Sequence, residues 1–174
     1  MKPSSANNPS TECYYTTAYF GKGMPGLCKH CGPTAIANLI LSRKAAADPR
    51  DVFAAVVRLG RRRGYYWPIC ATRWIGGTGD IISGRYIRRA CEAAGVPLGS
   101  VRFGGLARPA RVRRALENGA VVYLQLHFHP RYAHHHLLLY GRESRGFRAA
   151  DGWSPRPVYL TDRDLRFATY FAIY

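Results

Sequence analysis

The sequence predicts an α+β fold, with N-terminal helices packed on a C-terminal antiparallel sheet. Three observations carry this. Up to residue 119, apolar residues recur at helical spacing in four stretches. After Gly119 the pattern becomes strand-like, with apolar runs separated by turns. No internal repeat or linker divides the 174 residues, so residues 1–174 read as one domain.

Residues 1–30 read as coil, rich in Pro, Gly, Ser and Asn, and 1–24 as an irregular N-terminal segment. The first helix begins around Cys31-Gly32-Pro33, because a proline in the first turn gives up only an N–H that would be unpaired there. Ala35, Ile36, Leu39 and Ile40 repeat at helical spacing, and Arg43 with Lys44 suits the negative C-terminal end. This helix is apolar on most sides and should be central. A second helix is expected over Asp51–Leu59, where Val52, Val56 and Leu59 share a face. Residues 65–82, with clustered Gly, Tyr and Trp, read as mostly loop. Ser83 is placed to cap a third helix running to Ala94, and Pro109–Asn118 gives a fourth. About five strands follow, at Ala120–His129, His134–Gly141, Gly146–Ala150, Val158–Leu160 and Ala168–Tyr174.

Composition bounds the function classes. A hydrophobic content of 47% with 13% aromatics excludes a disordered linker. The longest apolar runs, Ala120–Leu126 and Leu137–Tyr140, fall far short of the ~20 residues that span a bilayer. The N-terminus is polar, with no apolar signal core, and the 5 cysteines are an odd count for a disulfide framework. A reduced, cytoplasmic protein is therefore expected, with signal-independent secretion left open. The formal charge is +16, and residues 51–114 alone carry a net +10. Of the 26 bases, 22 are Arg, whose planar fork suits carboxylate or phosphate. An acidic partner and a merely solvated basic face both account for this.

The chemistry centres on Cys31. A thiol at a helix N-terminus meets unpaired N–H groups and the positive end of the dipole, and both favour thiolate. Cys28 completes a C-x-x-C with Cys31, the spacing of redox pairs and of half a zinc site. No second close Cys pair completes four ligands, and His127-x-His129 is the remaining source. No metal or cofactor is expected. His134-His135-His136 opens a buried strand, with His135 on one face and its two neighbours on the other. Asp151 ends the next strand, where a histidine N–H on the adjacent strand is a natural partner. A Cys, then a His, then an Asp is the nucleophile, general base and orienting group of acyl transfer through a thioester.

These residues resemble the papain-like cysteine peptidases, and more specifically their bacterial C39-like branch. Cys31-Gly32-Pro33-Thr34-Ala35 is similar to that branch's nucleophile motif, and His135–Gly141 (HHLLLYG) to its histidine strand. Asp151 follows His135 at a similar spacing, and Asp151-Gly152-Trp153 resembles the Asn-Ser-Trp segment of papain. The resemblance implies a papain-like fold and a triad of Cys31 as nucleophile, His135 as base and acid, and Asp151 as orienting carboxylate. It leaves His134 and His136 as alternatives to His135. One departure stands out. The family places a Gln several residues before the Cys to complete the oxyanion hole, and the one Gln here, Gln125, lies after it. Lys22, Met24, Pro25 and Lys29 occupy the expected segment. A Cys28–Cys31 disulfide would block the nucleophile reversibly.

The first functional reading is thus a cysteine-dependent amide-bond hydrolase, a peptidase or isopeptidase acting on a peptide or protein substrate, with acidic sequences favoured. The alternatives are a slow or acyltransferase (transglutaminase-like) member and a basic binding module on the same fold. For that module, Arg61-Arg62-Arg63-Gly64-Tyr65-Tyr66-Trp67 interleaves bases with aromatics suited to nucleic acid or another polyanion. A zinc or redox protein built on Cys28 and Cys31 is the third reading.

Overall fold

The protein is described by a computed structural model covering residues 14–24, 26–70, 76–144 and 146–174. Among the described residues the helices are α1 (Thr17–Gly21), α2 (Cys31–Arg43), α3 (Pro49–Arg62), α4 (Ser83–Ala93) and α5 (Pro109–Glu117). The strands are β1 (Tyr66–Trp67), β2 (Gly77–Thr78), β3 (Val101–Leu106), β4 (Val121–His129), β5 (Ala133–Glu143), β6 (Gly146–Ala150), β7 (Val158–Leu160) and β8 (Ala168–Ile173). The architecture is α+β. β1 and β2 form a small ladder, and the other six strands form an antiparallel sheet in the order β3-β8-β4-β5-β6-β7.

Alternation along the strands divides the core in two. Tyr123, Leu138, Ala150, Phe171 and Ile173 point to one face and pack with the buried residues of α2, α3 and α4. Val122, Leu124, Leu137, Leu139 and Ala149 point to the other, against Val112 and Ala115 of α5 and Leu165 of a 3-10 turn (Asp162–Leu165). α2 is the central element expected. Every residue from Gly32 to Leu41 is buried, so no polar stripe along it faces solvent.

Several expectations need correction. The N-terminal stretch is not all coil, since Thr17–Gly21 forms a helical turn whose Thr16 hydroxyl accepts from the Tyr19 N–H. Residues 1–13 of that segment, including Cys13, lie outside the described residues. α3 starts at Pro49 because the Asp48 carboxylate caps the N–H groups of Arg50 and Asp51. Ser83 is the first residue of α4 rather than its cap, and its hydroxyl donates to the Gly79 carbonyl. β3 is an added edge strand. Its apolar alternation is broken at Gly104-Gly105, where a bulge interrupts pairing with β8 and Gly105 takes φ +72°. The 65–82 loop contains the β1–β2 ladder, and its residues 71–75 lie outside the described residues.

Candidate active site

Cys31 is the first residue of α2, and no side chain caps that helix. Its thiol meets the backbone N–H groups of Cys31, Gly32 and His136, which act to lower its pKa. Desolvation is the larger influence and pushes the thiol above its ordinary value, although part of the residue's surface stays exposed. The resting group is a neutral thiol. The thiolate expected from the helix end alone does not survive the cost of burial.

Gly32 is required by close approach. A Cβ there would lie 2.2 Å from Thr78 Oγ1 and 3.1 Å from the Tyr123 hydroxyl, so β2 and β4 press on the helix start.

The histidine run divides across β5. His136 turns to the α2 face, where its Nδ1 lies 2.8 Å from the Tyr123 hydroxyl and its Nε2 3.6 Å from an Asp80 carboxylate oxygen. Burial drives its pKa down to about 3, so it is neutral. Tyr123 is held far above the usual phenol range, chiefly by burial, and keeps its proton. A protonated phenol can donate to Nδ1, which would leave the hydrogen of the neutral ring on Nε2.

His135 turns to the opposite face, stacked on Tyr132 and against Trp153 with ring centroids 5.2 Å and 4.7 Å away. Its Nε2 is 2.6 Å from the Asp151 carbonyl oxygen. A carbonyl only accepts, so Nε2 carries the hydrogen and Nδ1 of the neutral ring carries a lone pair. Burial, partly offset by Asp151, lowers the His135 pKa and keeps that ring neutral.

Asp151 is buried, and its carboxylate does not hold His135. It accepts instead from the Tyr132 hydroxyl at 3.0 Å and from the Trp153 and Ser154 N–H groups at 2.9 and 2.8 Å. The expected role as an orienting carboxylate is corrected accordingly. The side chain builds the turn, and the turn aims the carbonyl at His135. The turn also reaches α2, since a Cβ on Gly152 would lie 3.2 Å from Thr34 Cγ2, one helical turn beyond Cys31.

The structure therefore brings His135 to Asp151, the Asp151–Gly152 turn to the first turn of α2, and the His136 N–H to the Cys31 sulfur. No hydrogen bond joins the His135 ring to Cys31.

Beyond Tyr123, Leu138 and Phe171 the α2 face of the sheet becomes polar. Gln125 pairs with His136 and Thr169 across strands. Its amide nitrogen donates to the Asp80 carbonyl and the Ser83 hydroxyl, and its oxygen accepts from Thr169. Fully used, Gln125 braces α4 against the sheet and has no free donor for an oxyanion. The Asp80 carboxylate lies 3.7 Å from His127 and 3.6 Å from His136, and burial raises its pKa. Sequence reading missed Asp80, because one acid in a glycine-rich loop carries no spacing signal. Tyr132 was likewise invisible in the Pro130–Ala133 turn.

Cys28 bonds to Cys70, with their Cα atoms 5.7 Å apart. This overturns the Cys28–Cys31 pairing and, for this pair, the expectation of reduced cysteines. Cys31 is left free. Among the described residues, no group of three His, Cys, Asp or Glu is arranged to hold a metal ion, so Cys28, Cys31 and His127-x-His129 form no such cluster. No helix among them is long and apolar enough to cross a membrane. The chain matches no known family model and no curated protein.

Proposed function

We propose that the protein is a papain-like, cysteine-dependent hydrolase of amide bonds, with Cys31 as nucleophile and His135 as general base and acid. The observation that carries this is the pairing of a free cysteine at an uncapped helix start with a histidine run whose His136 N–H faces the sulfur. His135 suits the base because its Nε2 hydrogen is committed to Asp151 and its Nδ1 lone pair is open. His136 suits it less, because its Nδ1 is hydrogen-bonded to the Tyr123 hydroxyl and burial drives its pKa down to about 3.

Both Cys31 and His135 rest in the neutral form, so proton transfer accompanies attack rather than preceding it. In this proposal the Cys31 proton passes to His135 Nδ1 as Sγ adds to the scissile carbonyl, which requires the His135 ring to swing past the β5 edge from the sheet face opposite α2. The oxyanion takes the Cys31 and Gly32 N–H groups at the head of α2, in place of a glutamine. Collapse expels the amine with the proton returned by His135, and water then resolves the thioester with His135 again as base. An amine in place of that water would give transfer instead of hydrolysis.

The test is digestion of a diverse peptide library by the wild type and by Cys31→Ala. Cleavage confined to the wild type, with an acyl adduct on Cys31 by mass spectrometry, is expected. No cleavage and no adduct, or cleavage that survives Cys31→Ala, would overturn the proposal.

A further inference from the structure

We propose that the cleft beside α4 lined by Tyr65, Arg85, Arg88, Arg89 and Glu92 binds acidic side chains of the substrate polypeptide. The inference rests on the hydrolase reading and names the substrate class for the same site. The cleft has a volume of about 560 Å³.

Arg85, Arg88 and Arg89 stand at i, i+3 and i+4, which puts them on one exposed face of the helix. Arg89 pairs with Glu92 at 2.9 Å, while Arg85 and Arg88 have no carboxylate partner among the described residues. Three guanidinium groups on one face repel one another, and a pair of carboxylates received in their forks relieves that repulsion. Tyr65 forms the wall, its ring 5.4 Å from that of the buried Tyr86.

The cleft lies on the helix whose start is tied to the His136 strand. α4 opens at Ser83, which is hydrogen-bonded to Gln125, and Gln125 pairs with His136, whose N–H faces the Cys31 sulfur. At ~1.5 Å per residue, Arg85 and Arg88 lie roughly 3–8 Å farther along the helix axis. An extended peptide advances ~3.3 Å per residue, so the stretch from Ser83 to Arg85 and Arg88 adds about one to three residues to the span from the scissile bond.

The same geometry favours a peptide over a nucleic acid. The interleaved run at 61–67 does not form one surface. Arg61 and Arg62 line a separate cleft with Met24 and Leu27, and Tyr66 is buried with its hydroxyl on the Cys28 carbonyl. Glu92 in the α4 cleft also interrupts any continuous track for phosphates.

The test uses the full chain carrying Cys31→Ala, so that binding is read without turnover. A fluorescent peptide rich in Asp and Glu, its Asn/Gln counterpart and a single-stranded oligonucleotide of equal charge are titrated at low salt. The acidic peptide is expected to bind about tenfold tighter than its neutral counterpart and tighter than the oligonucleotide. Arg85→Glu with Arg88→Glu should abolish that preference, and Arg61→Glu with Arg62→Glu should leave it intact. Equal affinity for acidic and neutral peptides, an unchanged preference in the Arg85/Arg88 variant, or a tighter oligonucleotide would each overturn the proposal. Iodoacetamide labelling of Cys31 in the same arginine variants, with Cys31 restored, separates the two readings. Normal labelling in an Arg85/Arg88 variant that has lost its selectivity confines the change to the cleft and supports the proposal. Normal labelling with no acidic preference in the arginine-intact protein overturns the cleft alone, whereas labelling indifferent to His135→Ala overturns the hydrolase reading.

Discussion

His135 and His136 are sequence neighbours on opposite faces of one strand, and the strand's alternation gives them different chemistry. Burial depresses both, so His135 is competent as a base at pH values below the ordinary histidine range. The acid limb of kcat/KM is therefore expected below the usual ~6.5, and a limb at or above that value would contradict a buried His135 base. Asp151 yields a sharper prediction. In hydrolases whose carboxylate holds the histidine directly, the Asn variant loses about 10⁴ in rate. Here the backbone carbonyl does the holding, and an amide oxygen can still accept from the Trp153 and Ser154 N–H groups. Asp151→Asn should cost less than about tenfold in kcat, while Asp151→Ala, which dismantles the turn, should cost far more. Alternation in the sequence already placed His135 apart from His134 and His136. Which nitrogen each ring has free was not legible, because it depends on Tyr123 and on a turn carbonyl brought in by folding.

At the scale of elements, the start of α2 and the segments pressed against it decide whether the nucleophile is held. Gly32→Ala would drive a methyl group into Thr78, so a loss of ~1–3 kcal/mol in stability is expected, measured by urea unfolding. A neutral result would mean that β2 does not pack on α2 as described. The Cys28–Cys70 bond closes a loop of sequence separation 42, for which chain entropy gives a stabilisation of about 4 kcal/mol. Cys70→Ser should lower the unfolding free energy by that order, and a wild type insensitive to reductant would argue against the bond. α2 was legible because Ala35, Ile36, Leu39 and Ile40 repeat strongly at helical spacing and a proline marks its first turn. β3 was not, because Gly104 and Gly105 interrupt its pattern and its pairing with β8 is nonlocal. The disulfide was equally hidden, since the C-x-x-C spacing pointed to the wrong partner for Cys28.

Across the whole molecule, burying neutral histidines makes stability depend on pH. The folded pKa of His136, about 3, lies below the unfolded value of 6.5, so the unfolded chain binds more protons between those limits. Stability is therefore highest above pH ~6.5 and falls as pH drops toward 3, by ~1.4 kcal/mol per unit for His136 alone. His135 shifts in the same direction. Urea unfolding at pH 7 and pH 5 should show a loss of at least ~2 kcal/mol, reduced in His136→Asn, and a flat profile would contradict the burial. The α+β class was legible from the change of apolar period at Gly119. The strand order was not, because β8 inserts between β3 and β4 through pairings that no local pattern encodes. Charge was legible along the chain but not in space, since Arg61 and Arg62, and Arg85, Arg88 and Arg89, could be assigned to different clefts only once α3 and α4 were packed.

The central claim is that Cys31 reacts through His135. Its most direct test is the rate of iodoacetamide labelling of Cys31 from pH 5 to 9 in the wild type, His135→Ala and His136→Ala. The wild type should label Cys31 well ahead of the buried Cys91, and His135→Ala should slow it by about 10² or more. His136→Ala should retain the wild-type rate within a few-fold. Loss in His136→Ala with His135→Ala unaffected would move the base to the other face of the sheet, and indifference to both would make Cys31 a structural thiol.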